Sequence, residues 1–518
     1  MSNIRIGWSE ISITPDKKVS LVGQFAERIS QYVEKPLMAT ALVLDSGDDC
    51  AILCSCDLVS VGWNLVLAVR QRLTQMGAEF DVSKVILSAI HTHTGPGHNP
   101  TRRVDIENPD LGGKVNFDTL RTVLESYLKP GQKYLEKENI SANPEIATTQ
   151  EVFCLLVDRL STVIMAAWNN RKTGSFANAF GRVAVGMCRR AAYSDGSAQM
   201  WGDTNKAVFT ELEGGNDSGL ELIYVFDENK KLTGIVANLA CPAQCVQHRL
   251  FVSPDFWGEV KVRLRKHFGE ELFVLPQCSA AGDQCPVDLI RWVEPESDIN
   301  DPNCKRTNPP KRKADPSMFD ISGCNRAGKR ISNEILSVLE EVEDYQSEAV
   351  FCHKVLRLDL PLRKVTMAEY NHAVRELEYY VAKNAHKASF NFEDNARMHV
   401  HAGTIKRFRD QQLTEVYPIE YHVIRLGNIA IATNPFELFL DYGNRIKARS
   451  FAQQTMIVQL CCGSGAYLPT AKAEAGGHYS AYVSSGFVGS QGGDILVRNT
   501  IHEINQLWQP APEKGEDD

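Results

Sequence analysis

Nowhere among the 518 residues do about 18 apolar residues run uninterrupted, so no stretch has the length of a membrane-spanning helix. The N-terminal "MSNIRIGWSEISITPDKK" lacks the apolar core of a secretory signal, and the expected compartment is the cytoplasm. Positive charge is not in excess: the formal net charge is -8 and Lys and Arg are spread along the chain, so nucleic acid is excluded from the expected partners. One basic run, "CKRTNPPKRK" at 304 to 313, sits in a Pro- and Asn-rich segment and reads as a solvated loop. Internal repeats and long low-complexity tracts are missing as well, which removes solenoids and wholesale disorder. Only the tail 509 to 518 reads as unstructured.

What remains is an ordinary globular composition, 43% hydrophobic and 23% charged, long enough for one large α/β domain over residues 1 to 508. The fourteen cysteines, with no export signal, read mostly as reduced, buried residues. Apolar runs at 40 to 61 form a hairpin around a Gly-Asp turn, 64 to 77 has helical spacing and closes at Gly77, and 84 to 90 is again a strand. Strand, helix, strand implies a right-handed crossover, with ligand chemistry at the strand's carboxyl end. The alternation continues. Helices are expected at 149 to 171, 257 to 269, 320 to 343 and 366 to 384, hairpins at 220 to 241 and 417 to 435, and a late strand at "TMIVQLCCG". The fold class is therefore α/β, mixed sheets flanked by helices. Two polar stretches, 98 to 148 and 286 to 320, read as insertions that serve as lids or binding loops.

The strand "VILSAIHTHTGPG" (85 to 97) ends on His91 and His93 and breaks at Gly-Pro-Gly. On a continuing strand the two rings would alternate faces, so a bend at Thr92 is expected if one holds a metal and the other faces a reacting group. "SAIHTHTGPG" resembles the His-Thr-His-Ser-Gly-Pro-Gly signature of the neutral/alkaline, non-lysosomal ceramidase family of zinc-dependent amidases, and other motifs follow in that family's order over roughly residues 4 to 505.

The resemblance implies a ceramidase-like catalytic domain and a zinc ion. It assigns His91 as a ligand, places Cys241 of "NLACPAQCVQHRLFVSPDFWG" where the family has a histidine ligand, and carries the zinc-binding glutamate to Glu437 of "TNPFELFLDYGNRIK". In "GSGAYLPTAKAEAGGHYSA", Tyr467 corresponds to the ligand tyrosine and Tyr479 to the one that contacts substrate. A thiolate is a competent zinc ligand, and His248 is the alternative to Cys241. "VGMCRRAAYSDGS" offers Arg189, with Arg190 as its alternative, to the substrate, Cys188 replacing the family's Asn. Asp283 of "SAAGDQCP" is a supporting acid. Asp57 and Asp255, at strand ends, are orienters of the histidines or helix caps. His93 is then the oxyanion or proton-transfer partner, assisted by Tyr479 and Arg189.

The implied activity is hydrolysis of an amide by metal-activated water. Family members that act on ceramide carry an export signal or membrane attachment and a further β-sandwich, so the expected substrate is instead a small polar, sugar-derived amide. An esterase or lactonase on the same site, a metal-free hydrolase using Cys241 as nucleophile, and a non-catalytic binding protein are the alternatives. The expected partners are a small-molecule substrate and no membrane, with a homo-oligomer left open.

Overall fold

Gly47, at φ 89, turns the first hairpin, and the two strands it joins pair antiparallel from Ala39 with Cys56 to Asp45 with Cys50. The computed structural model describes residues 2–24, 28–98, 120–134, 143–291, 319–390 and 392–509. Strands β1 (Arg5–Ser12), β2 (Met38–Asp45), β3 (Cys50–Cys56), β4 (Val85–Ala89), β5 (Lys172–Arg182), β6 (Gly219–Asp227), β7 (Leu232–Leu239) and β8 (Phe273–Cys278) make one eight-stranded sheet, in the order β8-β7-β6-β5-β1-β2-β3-β4. Strands β9 (Phe351–Pro361), β10 (Val416–Leu426) and β11 (Ile429–Thr433), the short β12 (Glu437–Leu438), β13 (Gln454–Val458) and the short β14 (Tyr467–Leu468) follow. Of these, β9-β10-β11-β13 form a second sheet, and β12 pairs with β14.

The helices are α1 (Trp63–Gln75), α2 (Leu120–Tyr127), α3 (Thr149–Asn169), α4 (Phe256–Phe268), α5 (Asp320–Leu339), α6 (Met367–Lys383), α7 (Phe392–Asp410), α8 (Leu440–Lys447), α9 (Ala471–Gly476) and α10 (Ser490–Gln506). Helices α3 and α6 begin with full capping boxes, Thr148 with Glu151 and Thr366 with Glu369. Each threonine and glutamate satisfies N–H groups that the helix itself leaves open.

Strand periodicity sorts the core into layers. On β6, Leu222, Tyr224 and Phe226 pack with Trp257, Val260 and Ile331 of α4 and α5. The alternate residues Ile223 and Val225 share a core with Ile424, Ile431 and Met456 of the second sheet. That sheet's other face, including Val423, Ala432 and Ile457, meets Tyr442 of α8 and Leu496 and Val497 of α10. The order is helices, sheet, sheet, helices, which bears out the α/β class.

Three parallel pairs, β3 with β4, β7 with β8 and β11 with β13, are each bridged by one helix, α1, α4 and α8. The two ends of the large sheet come back together: Ser55 on β3, next to the edge strand β4, donates to the Pro276 carbonyl on the other edge strand β8 at 2.5 Å, and beyond the strand ends Ala243 N–H reaches Ile90 O at 3.3 Å. The carboxyl ends of these pairs are knitted by Gln459 N–H to Cys278 O, Cys461 N–H to Asn434 O and Ala89 N–H to Leu460 O. Ligand chemistry is expected at such strand ends.

Most of the two predicted lid insertions, 99–119, 135–142 and 292–318, and the tail 510–518, lie outside the described residues. The described part of the first contributes α2, whose Val123 and Leu124 join a satellite core with Leu377, Met398 and Ala402 of α6 and α7.

Candidate active site

β4 ends at Ala89, and His91 takes a left-handed backbone with φ 68. The chain thus bends at His91 itself, one residue before the expected Thr92. A non-glycine residue held there stores strain that the surroundings must offset. Thr92 and Thr94 supply part of that support: both hydroxyls donate to the Ser253 carbonyl, at 2.7 and 2.9 Å. The bend brings the two histidine rings together edge to face, centroids 4.9 Å apart, both buried.

His91 Nδ1 lies 2.7 Å from the Val59 carbonyl. A carbonyl only accepts, so this nitrogen carries a proton, and it is Nε2 that becomes a bare lone pair whenever the ring is neutral. Nε2 faces Glu437 Oε2 at 3.4 Å. Two acceptors at that distance require a cation between or beside them, a proton or a metal ion. Burial works to raise the Glu437 pKa, but His91, Arg189 and the Tyr467 hydroxyl hold it below the usual carboxylate range. Glu437 and Tyr467 are register partners in the β12–β14 ladder, which sets their side chains next to each other. Tyr467 and Tyr479 meet edge to face at 5.4 Å, with hydroxyls hydrogen-bonded. Gly282 admits the close approach, since a Cβ there would stand 2.3 Å from the Glu437 carbonyl.

Arg189 is buried and donates to the Gln244 side-chain carbonyl at 3.0 Å, to Gly282 O at 2.9 Å and to the Tyr467 hydroxyl at 3.4 Å. Because guanidinium only donates, Gln244 must show it the amide oxygen and so turns its NH2 to His93 Nε2, 2.9 Å away. The acceptor role of Nε2 puts the proton of neutral His93 on Nδ1. Burial, then His91, Arg28 and Arg189, press the His93 pKa well below its ordinary value, so the ring is neutral near pH 7. Gln244 and Arg28 were missed from sequence. Nothing in "CPAQCVQ" or near Arg28 distinguishes them from ordinary polar residues.

The remaining candidates go elsewhere. Arg190 is saturated: it grips Glu213 with two bonds of 2.5 and 3.0 Å, and also donates to Tyr479 O, Ser480 Oγ and Gly477 O. It therefore clamps the loop that carries Tyr479 instead of offering itself to substrate. Cys241 Sγ donates to the Pro242 carbonyl at 3.6 Å, and burial drives its thiol pKa well above the ordinary value. Among the described residues no trio of His, Cys, Asp or Glu ligand atoms within 4.8 Å of one another includes Cys241 or His91. His248, the alternative, stacks edge-on against Phe319 at 5.3 Å.

Cys188 is a buried thiol on the Arg190 carbonyl, its pKa pushed up to about 12 by burial. Asp57 accepts from Met38 N–H at 2.8 Å and faces Lys261 at 3.5 Å, not the histidines. Asp255 caps α4 through Phe256 N–H and holds Val246 N–H. Asp283 accepts from Leu440 N–H at the start of α8 and, by burial, has its pKa raised to about 6. Arg445, a competitor for Glu437, is spent on Asp494.

A trio that could hold a metal ion does occur, at Glu420, His422 and Cys462, buried on and beside β10. There Arg70 already grips both Glu420 oxygens at 2.7 and 3.1 Å, and His353 holds His422 Nδ1 at 2.9 Å.

No family model matches the sequence, and no curated protein matches it. Solved structures do match in shape. Neutral ceramidase from Pseudomonas aeruginosa superposes with a TM-score of 0.66 at 14% identity, over 99% of this chain and 76% of that one. A structure described as "Ceramidase complexed with C2" gives a TM-score of 0.64 at 12% identity, over 100% of this chain and 78% of the other. The fold is that of the neutral ceramidases, as the motifs implied. No helix among the described residues is long and apolar enough to cross a membrane.

Proposed function

We propose that the chain is a metal-dependent hydrolase that cleaves an amide of a small polar substrate, of which a sugar-derived one is an example, with zinc held by His91, Glu437 and Tyr467. The observation that carries this reading is the Nε2 of His91, on a ring whose Nδ1 is held by Val59, set 3.4 Å from the half-buried carboxylate of Glu437 in a ceramidase-like fold. One nitrogen and two oxygen donors suit zinc, and three protein ligands leave a position open, as catalytic sites do. When bound, zinc supplies a water of lowered pKa and polarises the carbonyl.

The chain's own groups do the rest. Val59 O holds the His91 ring, as partners behind metal ligands commonly do. His93 Nδ1–H holds the carbonyl oxygen as its negative charge grows. Tyr479, half-buried, keeps its phenolic proton because burial and Glu437 raise its pKa, and it gives a hydrogen bond to the leaving nitrogen. Cys241, a protonated buried thiol, is a poor nucleophile, which weighs against the metal-free cysteine hydrolase.

Elemental analysis with an amide and ester panel tests this. Wild type and Cys241→Ser are expected to hold about one zinc per chain and to turn over amides, while His91→Ala loses both, by about a hundredfold or more in rate. Full zinc in His91→Ala sinks the assignment. Zinc without turnover leaves a binding protein, and turnover of esters alone makes it an esterase.

A further inference from the structure

Around His93 stand three buried nitrogens that could donate and, among the described residues, have no hydrogen-bond acceptor: His93 Nδ1, Arg28 Nε and Arg189 Nε. Arg28 is 2% exposed, Arg189 3% and His93 7%. The terminal nitrogens of Arg28 are spent on carbonyls, those of Val22, Gln247, Arg249 and His93 itself. Those of Arg189 are spent on Gln244, Gly282 and Tyr467. Among the described residues neither guanidinium forms an ion pair, although both press on His93 electrostatically.

A buried guanidinium without a counter-charge is costly, and so is a buried N–H without an acceptor. Elsewhere in this molecule the same problem is solved internally: Arg190 takes Glu213 and Arg249 takes Asp320. Of the carboxylates nearby, Glu437 lies against His91 and also acts on Arg189, so two buried positive charges face one negative group. Among the described residues no further carboxylate pairs with either guanidinium, and a bound anion would supply the charge.

We propose that the substrate carries an anionic group, a carboxylate, close to its scissile carbonyl, recognised by the Nε–H groups of Arg28 and Arg189 beside His93. This rests on the hydrolase reading for where the carbonyl lies, and it narrows the substrate to N-acyl compounds of the amino-acid type. The carboxylate fits because it is planar and offers two acceptors to guanidinium donors.

The test is calorimetric titration of the full chain with N-acetylglycine and with its neutral counterpart N-acetylglycinamide, at equal metal content. The anion is expected to bind about tenfold to a hundredfold more tightly. That preference, read as the ratio of the two dissociation constants, should shrink to within about threefold in Arg189→Gln, and in Arg28→Gln if that variant folds. Equal binding, no binding of either probe in the millimolar range, or a preference that survives in Arg189→Gln overturns the proposal. Turnover measured on the same samples separates the two ideas. A preference lost on Arg189→Gln without hydrolysis of any amide or ester supports the anion site while the hydrolase reading falls.

Discussion

His93 owes its tautomer to a residue two contacts away: Arg189 orients Gln244, and Gln244 orients His93. Such chains hold a reacting group in one state only while the ring itself cannot move. Gly23 is what stops it moving, lying flat on the ring at φ 91. A Cβ there would come within 2.4 Å of His93 Cγ, from a backbone that L side chains rarely adopt. Gly23→Ala should therefore push the ring off Gln244 and lower kcat at least tenfold, with zinc content unchanged because His91 is pinned separately by Val59. Unaltered kcat in a folded Gly23→Ala protein would show that the placement of His93 does not matter. None of this was visible in sequence, where Gly23 and Gln244 have no motif around them. The pairing of His91 with Glu437 was legible, because the motif order carried both.

At the scale of elements, the loops after the parallel strands carry the chemistry and polar clamps fix them. The loop that bears Tyr479 has three residues at positive φ, Gly477, His478 and Ser480, and Arg190 holds it from within. Glu213→Gln leaves that guanidinium without its carboxylate in a site where it is wholly buried. The expected cost is about 3–5 kcal/mol of stability, and turnover should fall while zinc content stays. A variant with normal turnover would show that the clamp has no bearing on Tyr479.

Asp255 clamps the loop before α4 in a similar way from φ 59, and burial raises its pKa to about 6 from the ordinary 3.8. The folded state then binds this proton more tightly than the unfolded one. The group's contribution is complete below about pH 4 and is lost as pH rises through about 6. Asp255→Asn, which cannot ionise, should gain on wild type by up to about 3 kcal/mol between about pH 4 and pH 7 in urea unfolding. A difference that does not vary with pH would refute the shift. Cap chemistry of this kind was readable from Asp255 before an aromatic helix start. The strand β5 was not, because its Gly and Asn residues give no alternation to read.

For the molecule as a whole, the site exists because two sheets present their parallel strand ends at one place, and that convergence depends on contacts no local pattern encodes. The large sheet has to return on itself, and β13 has to lie against it, before Glu437 can meet His91. Single crossovers could be inferred from strand, helix and strand, but how three of them converge could not. Gln459, at the end of β13, is the tie. Its buried Oε1 accepts from Ala281 N–H at 3.1 Å and Leu438 N–H at 2.9 Å, joining the loops after β8 and β11 one residue from Glu437. Gln459→Ala leaves both N–H groups without an acceptor, at a cost of roughly 2–6 kcal/mol. Ile331→Ala, in the helical layer away from the site, removes a comparable roughly 2–5 kcal/mol by opening a cavity. If convergence is what builds the site, the two variants should unfold at similarly reduced temperatures while only Gln459→Ala loses zinc. Equal zinc in both would mean that His91, Glu437 and Tyr467 hold their places without the tie, and that the site is local to the β12–β14 ladder.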